Sequence, residues 1–287
     1  MGGKRKADDP DYTVELLWQR DGAEARQGLS LGRIVRAGVE LADAEGLAGL
    51  SMRKVAERLG FTTMSLYRHV SGREQLIDLM CDAVAGESVG AGDAAERDGW
   101  RARLEACARE GWALRRRHPW LAEVRGGRHV PGPNVIACYE QMLAAVAGTG
   151  LSPSEVIAVA GLVGRFVDSE ALLLAETAET ERRSGLSEEE WWGSRDTLFE
   201  RLNDYPTIAR LWEEGGFDQP EDPFEFGLAR LLDGIELLIQ RYKTSDETGV
   251  CVMCGTPVEQ PASGRPKAYC SPSCRQRAYR RRRTGQD

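Results

Sequence analysis

The stretch "LSMRKVAERLGFTTMSLYRHVSGREQL" (Leu50–Leu76) decides how the rest of the chain is read. Ser51 is a good helix N-cap, and Val55, Ala56 and Leu59 form a buried stripe that Gly60 ends. Lys54 occupies the third helical position, so no capping box is expected there. "FTTMSLYRHV" follows, barely two turns long, with Leu66 alone to bury and Thr62, Thr63, Met64, Tyr67 and Arg68 around it. A helix that short buries little, so its outward chemistry accounts for it. Ser71 with Glu74 is a capping-box signature for a further helix carrying Leu76, Ile77, Met80 and Val84. Two short helices joined by the tight "LGF" turn have helix-turn-helix geometry.

Upstream, "SLGRIVRAGVELADAEG" puts Leu31, Ile34, Val35, Val39 and Leu41–Ala42 on one helical face, with Gly46 as a stop. "YTVELLWQR" (Tyr12–Arg20) has an apolar stripe that can dock as a short helix. Downstream, helices are expected over Trp100–Arg117, Asn134–Ala147, from "LSPSEV" to about Glu181, near Arg195–Asn203, over Tyr205–Glu213 and in "FEFGLARLLDGIELLIQRYK". Ser152 caps the third of these and Pro153 takes its first position. Nine or ten helices and no strand before residue 250 define an all-α class.

At 287 residues the chain has room for two modest domains, or one with extensions. A formal charge of -7 excludes a uniformly basic coat for nucleic acid, but the charge is patterned. Gly264–Arg283 carries eight Lys or Arg and no acid, whereas Ser184–Glu236 carries fourteen acids against four bases. No apolar run is long enough for a bilayer, and "MGGKRKADDPD" is no signal peptide, so the cytoplasm and no membrane partner are expected. The acids pair with no histidine or cysteine at a telling spacing, and no glycine-rich loop follows a strand. A catalytic role is not expected.

The exposed residues of the short second helix suit DNA. Threonine hydroxyls meet base edges, methyl groups meet thymine methyls, and Tyr, His and Arg hold phosphates. Ser51 and Arg53 open a helix whose first amides can face a phosphate. Residues 30–80, with "LYRHV" followed by "REQL", resemble the DNA-binding domain of the TetR family of bacterial repressors. That resemblance implies base-reading roles for Thr62, Thr63 and Met64 and phosphate contacts from Tyr67 and His69. It implies lesser phosphate roles for Ser51, Met52 and Arg53. Arg73 stands where the family usually has lysine, and can clamp a phosphate in a different geometry.

The body, through "RRHPWLAEV", "GPN", "GLSPSEV" and "EFGLARLLDGIELLI", resembles the ligand-binding domain of the tetracycline-repressor-like branch. The resemblance implies a homodimer on a palindromic DNA operator, released when a small-molecule inducer binds between the helices and tilts the reading heads apart. Candidate pocket residues are Trp112, His118, Trp120, Phe166, Glu170 and Trp191. With only His118 and His129 outside the reader, no ligand set for the family's magnesium-bound drug is assembled. The dimer interface is expected from the final helix and the one spanning Glu155–Ala175. An activator or dual regulator on the same scaffold is an alternative, as is a helical scaffold whose tail binds protein or RNA.

Seven cysteines divide into two sets. Cys81, Cys107 and Cys138 lie singly in helical patterns and read as buried small hydrophobes. Cys251-x2-Cys254 and Cys270-x3-Cys274 form two knuckles, a spacing that suits an all-thiolate zinc site in a reducing compartment. "RQRAYRRRR" then leaves the second knuckle as a basic helix. The segment resembles a small zinc-ribbon-like tail found on some actinobacterial regulators. A nucleic-acid contact outside the half-site, docking on the acidic stretch and a solvated charge run are its three readings. The expected organisation is a flexible extension over 1–27, a helix-turn-helix domain over 28–80, a ligand-binding and dimerisation body over 81–243, and a zinc-binding tail over 250–283.

Overall fold

The computed structural model describes residues 12–18, 28–88, 98–124, 129–218, 221–247, 250–258 and 267–283. Much of the expected flexible extension, and residues 259–266 between the two cysteine knuckles, lie outside them. Among the described residues the chain is all-α, with one isolated bridge between Val250 and Pro257. Its helices are α1 (Tyr12–Trp18), α2 (Leu31–Gly49), α3 (Met52–Leu59), α4 (Thr63–Leu66), α5 (Arg73–Ala85) and α6 (Trp100–Arg117). After a 3₁₀ turn at Pro119–Glu123 come α7 (Pro133–Ala147), α8 (Pro153–Ser184), α9 (Glu188–Gly193), α10 (Asp196–Leu202), α11 (Pro206–Glu213), α12 (Pro223–Glu247) and α13 (Pro272–Arg283). Twelve of these described helices precede residue 250, against nine or ten expected, because one- and two-turn helices carry little periodic signal.

Local chemistry fixes the head. Ser30 and Ser51 cap α2 and α3, their hydroxyls accepting the N–H of Arg33 and Lys54 at 3.3 and 3.2 Å. Gly46, at φ +68°, breaks α2 internally. Gly60 adopts the left-handed conformation at φ +74°, which lets the Phe61 N–H reach the Ala56 carbonyl at 2.9 Å and sets the turn into α4. Two expectations shift. The reading helix is a single α turn, continued by i→i−3 bonds such as His69 N–H to Leu66 O at 2.8 Å. The Ser71–Glu74 capping box does not form: Gly72 is the N-cap of α5, and Gln75 accepts the Ser71 N–H at 2.7 Å instead.

Two cores follow. Ile34, Val55, Leu66, Val70, Leu76 and Met80 are fully buried in the first, which also takes in Leu114 and Trp120 from beyond residue 81. Leu104, Val146, Val163, Leu228 and Leu232 centre the second. Helix α5 is continuous across the expected boundary at residue 80. Its first half belongs to the head, and its last turn faces the body. α12 runs antiparallel to α6: Trp112 stacks on Phe224, Arg109 pairs with Glu225, and Arg101 pairs with Asp233 at 2.7 Å. Tyr242 reaches Glu155, at the start of α8, at 2.7 Å.

Candidate nucleic-acid interface, ligand cavity and metal centre

Burial of Leu66, with no exposed surface, orients α4 and turns its other side chains outward. Met64 is 71% exposed, Tyr67 and Thr62 are exposed, and Thr63 and His69 are half-buried. The Thr62 hydroxyl caps α4, accepting the Ser65 N–H at 3.3 Å. Its oxygen is thus partly committed before any base is met. Ser51 is likewise an N-cap, and Arg53 is exposed beside Glu57 at 2.7 Å. Met52 departs from its expected role. Its side chain is buried in the head core, so only its backbone can face a phosphate. Arg73 is also turned inward: its guanidinium donates to the Leu50 and Leu47 carbonyls at 3.1 and 2.7 Å, satisfying the end of α2.

The head is keyed to the body by a polar cluster. Asp43, on α2, accepts at 2.7 Å from Trp120 Nε1 and lies 2.7 Å from His118 Nδ1, while His118 Nε2 faces Glu87 at 3.4 Å. His118 and Trp120 are buried there, held by Asp43 rather than facing an open cavity. Asp82, on α5, is 7% exposed and accepts the N–H groups of Asn134 and Val135 at 2.9 and 3.0 Å. It caps α7 from another helix. Gly132 makes room for this: a β-carbon there would lie 2.3 Å from the Asp82 carboxyl carbon.

A cavity of about 390 Å³ lies where α5, α6, α7 and α8 meet. Cys81 and Ala85 line it from α5, Cys107 and Leu114 from α6, Val135, Cys138 and Tyr139 from α7, and Gly164 and Val167 from α8. Its polar groups include Glu110 and the Arg115–Asp168 pair, joined at 2.8 Å. None of the six aromatic, histidine and acidic candidates lines it. Trp112 and Phe166 both stack on Phe224 in the second core, at 4.6 and 5.7 Å. Glu170 is half-buried on α8, and Trp191 is exposed under Arg195, 4.0 Å from its ring. The three cysteines, read as packing residues, face the cavity instead. Burial pushes the Cys81 thiol up to about 12 and the Cys107 thiol to about 11, and raises Cys138 as well. They are protonated, polarizable lining rather than nucleophiles. One cysteine on each of three successive long helices was the signal for this site.

In the tail, the sulfur atoms of Cys251, Cys254, Cys270 and Cys274 all lie within 4.8 Å of one another. Cys254 and Cys270 are 3.4 Å apart, and Cys274 stands 3.6 Å from each. Tetrahedral zinc with Zn–S bonds of about 2.3 Å needs sulfurs about 3.8 Å apart, so the donor set fits with small adjustment. Burial disfavours the Cys251 thiolate, but hydrogen bonds from backbone groups of Cys270 and Met253 outweigh it and lower the thiol to about 6. Cys270, hydrogen-bonded to Cys254, is pushed up to about 12. The cluster therefore already holds thiolate character, the form that binds metal. Val258, Met253 and Tyr269 make its small apolar core. The Arg277 guanidinium donates to Cys274 Sγ at 3.1 Å.

Residues 34–80 match the bacterial regulatory proteins of the tetR family, and residues 93–239 match the tetracyclin repressor-like C-terminal domain. The cysteine tail lies beyond both. The chain is 42% identical over 233 residues to the HTH-type transcriptional repressor DrrR1 of Streptomyces coeruleorubidus, covering 79% of this chain and 86% of that protein. It is 32% identical to an HTH-type transcriptional regulator of Saccharopolyspora erythraea, over 82% of this chain and 97% of the relative. Its fold resembles that of the Streptomyces coelicolor protein ActR in complex with actinorhodin, at a TM-score of 0.59 and 27% identity, covering 72% of this chain and 94% of that one.

Proposed function

Because the chain belongs to the TetR family of bacterial regulatory proteins, we propose that it is a cytoplasmic, non-catalytic repressor that leaves a palindromic operator when a small molecule fills the four-helix cavity. The observation that carries this reading is the single helix α5. It packs Leu76 and Met80 into the head and presents Cys81 and Ala85 to the cavity, so occupancy of one end and orientation of the other are one equilibrium. Similarity to a repressor and to a ligand-bound structure supports it.

Repression of a palindrome requires two heads, and we assign the dimer contact to α8 and α12. α12 buries Leu228, Leu232 and Ile235 yet still exposes Phe226 and Leu237, and α8 exposes Ile157, Leu162, Leu173 and Leu174. Those second apolar faces suit a four-helix contact between two copies. Thr63 and Met64 read bases, and Tyr67 and His69 hold phosphates. The tail binds zinc through Cys251, Cys254, Cys270 and Cys274, which would supply the folding energy that a buried core of Val258 and two of those cysteines does not.

The test is selection of duplexes from a random library by the full-length protein, followed by titration of candidate apolar polycyclic ligands into the complex. Enrichment of a palindrome, and its release by a ligand whose binding is lost when Val135 in the cavity wall is changed to Trp, is the expected result. Selection of no sequence would sink the repressor reading.

A further inference from the structure

The helices of the body carry the start of the basic tail far from the reading head. His118, at the end of α6, joins Asp43 of the head. From there α6 leads away toward Trp100, and α12 runs beside it in the same direction: Phe224 is level with Trp112, and Asp233 with Arg101. At 1.5 Å per residue, Arg101 lies about 25 Å from the head junction, and α12 continues about 20 Å further to Glu247. Tyr242, level with Glu155 at the far start of α8, agrees with that direction. Val250 already belongs to the tail, paired with Pro257, and the three chain steps from Glu247 to Val250 reach no more than about 11 Å. That is far too short to bring the tail back to the duplex under α4.

The tail's own chemistry identifies its partner. α13 carries six arginines and no acid. At 100° per residue Arg280, Arg277 and Arg281 share an arc of about 100°, Arg275 stands on another side of the axis, and all four are exposed. A helix that docks on protein needs an apolar stripe, and here Cys274 and Ala278 are spent on the knuckle side, leaving exposed Tyr279. Cations on two sides of one helix fit a nucleic-acid groove, where phosphates flank a helix on both walls.

We propose that the metal-pinned tail grips a second DNA duplex, so that the protein bridges its operator to another DNA segment. This rests on the metal-bound tail and operator-binding head proposed above. The contact is to phosphates and carries no sequence preference.

The test uses the full-length, zinc-loaded protein and its Arg275→Gln/Arg280→Gln/Arg281→Gln variant, which leaves the cysteines, Arg277 and the reading face intact. A palindrome enriched with the variant is immobilised, saturated with either protein and challenged with a labelled duplex lacking that palindrome. We expect equal affinity for the palindrome, and retention of the second duplex by the unaltered protein at least about tenfold above the variant at about 0.1 M salt, fading steeply as salt rises. Weaker palindrome binding by the variant would put the tail on the same duplex and overturn the proposal. Equal retention by both proteins, retention by neither, or preferential retention of RNA or polyglutamate would overturn it too. Failure to enrich any palindrome counts against the repressor reading alone, and bridging is then scored between any immobilised duplex and the labelled one.

Discussion

The Asp82 carboxylate accepts the backbone N–H of Asn134 at 2.9 Å, so α5 holds the first turn of α7 from outside it. Both helices also line the cavity. Asp82→Ala should lower stability by about 1–2 kcal/mol, as for other lost N-caps, and Asp82→Asn should recover part of that. Thermal melts read the stability. Ligand titrations of the DNA complex read the coupling, which should weaken in Asp82→Ala even after allowance for the melt.

Thr63→Ala and Met64→Ala should relax sequence preference with little change in affinity for arbitrary duplexes. Tyr67→Ala should weaken binding to all duplexes alike, because a phosphate contact carries no sequence information. Library selection alongside anisotropy separates the two. An identical effect from all three changes would remove the assignment of base readers.

Leu66 has no exposed surface and is the one buried side chain of α4. Leu66→Ala should cost about 2–5 kcal/mol and release α4 from its orientation. DNA binding should fall further than the folded fraction measured by circular dichroism, and a fall merely in proportion to it would mean that Leu66 does not orient α4.

Filling the cavity should separate ligand response from DNA binding. Val135→Trp should abolish release by any ligand while leaving affinity for the selected duplex within about twofold. Trp112→Ala, which removes the ring stacked on Phe224, should instead lower stability by about 3–5 kcal/mol without a specific loss of response. The reverse pattern would relocate the ligand to the second core.

Zinc affinity should rise with pH. Metal binding must expel the proton from Cys270, whose thiol is pushed up by its hydrogen bond to Cys254, and acidification adds protons to the other thiols that the metal must also displace. Each proton released strengthens apparent affinity by about tenfold per pH unit. Competition with a chromogenic chelator between about pH 6 and 8 measures the slope, and a flat profile would argue against thiolate ligation.

The sequence makes the head legible because its decisive signals are local. Ser51, Gly60 and Thr62 act within four residues of themselves, and each performs the capping or turn chemistry its type suggests. Ser152 and Pro153 open α8 for the same reason. The cavity is different. Cys81, Cys107, Val135 and Gly164 meet only after four helices pack, and no short window holds that information. Large aromatics drew attention to Trp112 and Phe166, whose rings are taken by Phe224, a partner far along the chain. Arg73 is similar: its charge suggests a phosphate, but its bonds to the Leu47 and Leu50 carbonyls, more than twenty residues away, have no signal in the surrounding sequence.

The unbroken α5 also has a mechanical consequence. Its thirteen residues make a stiff rod about 20 Å long. Pivoting such a rod by about 6° at the cavity displaces its other end by about 2 Å, and mirrored rods in a two-fold pair change the spacing of their tips by up to about 4 Å. DNA half-sites repeat about every 34 Å, with atomic contacts that tolerate far less than that. A small rotation, geared up by length alone, is enough to take both tips out of step with the double helix.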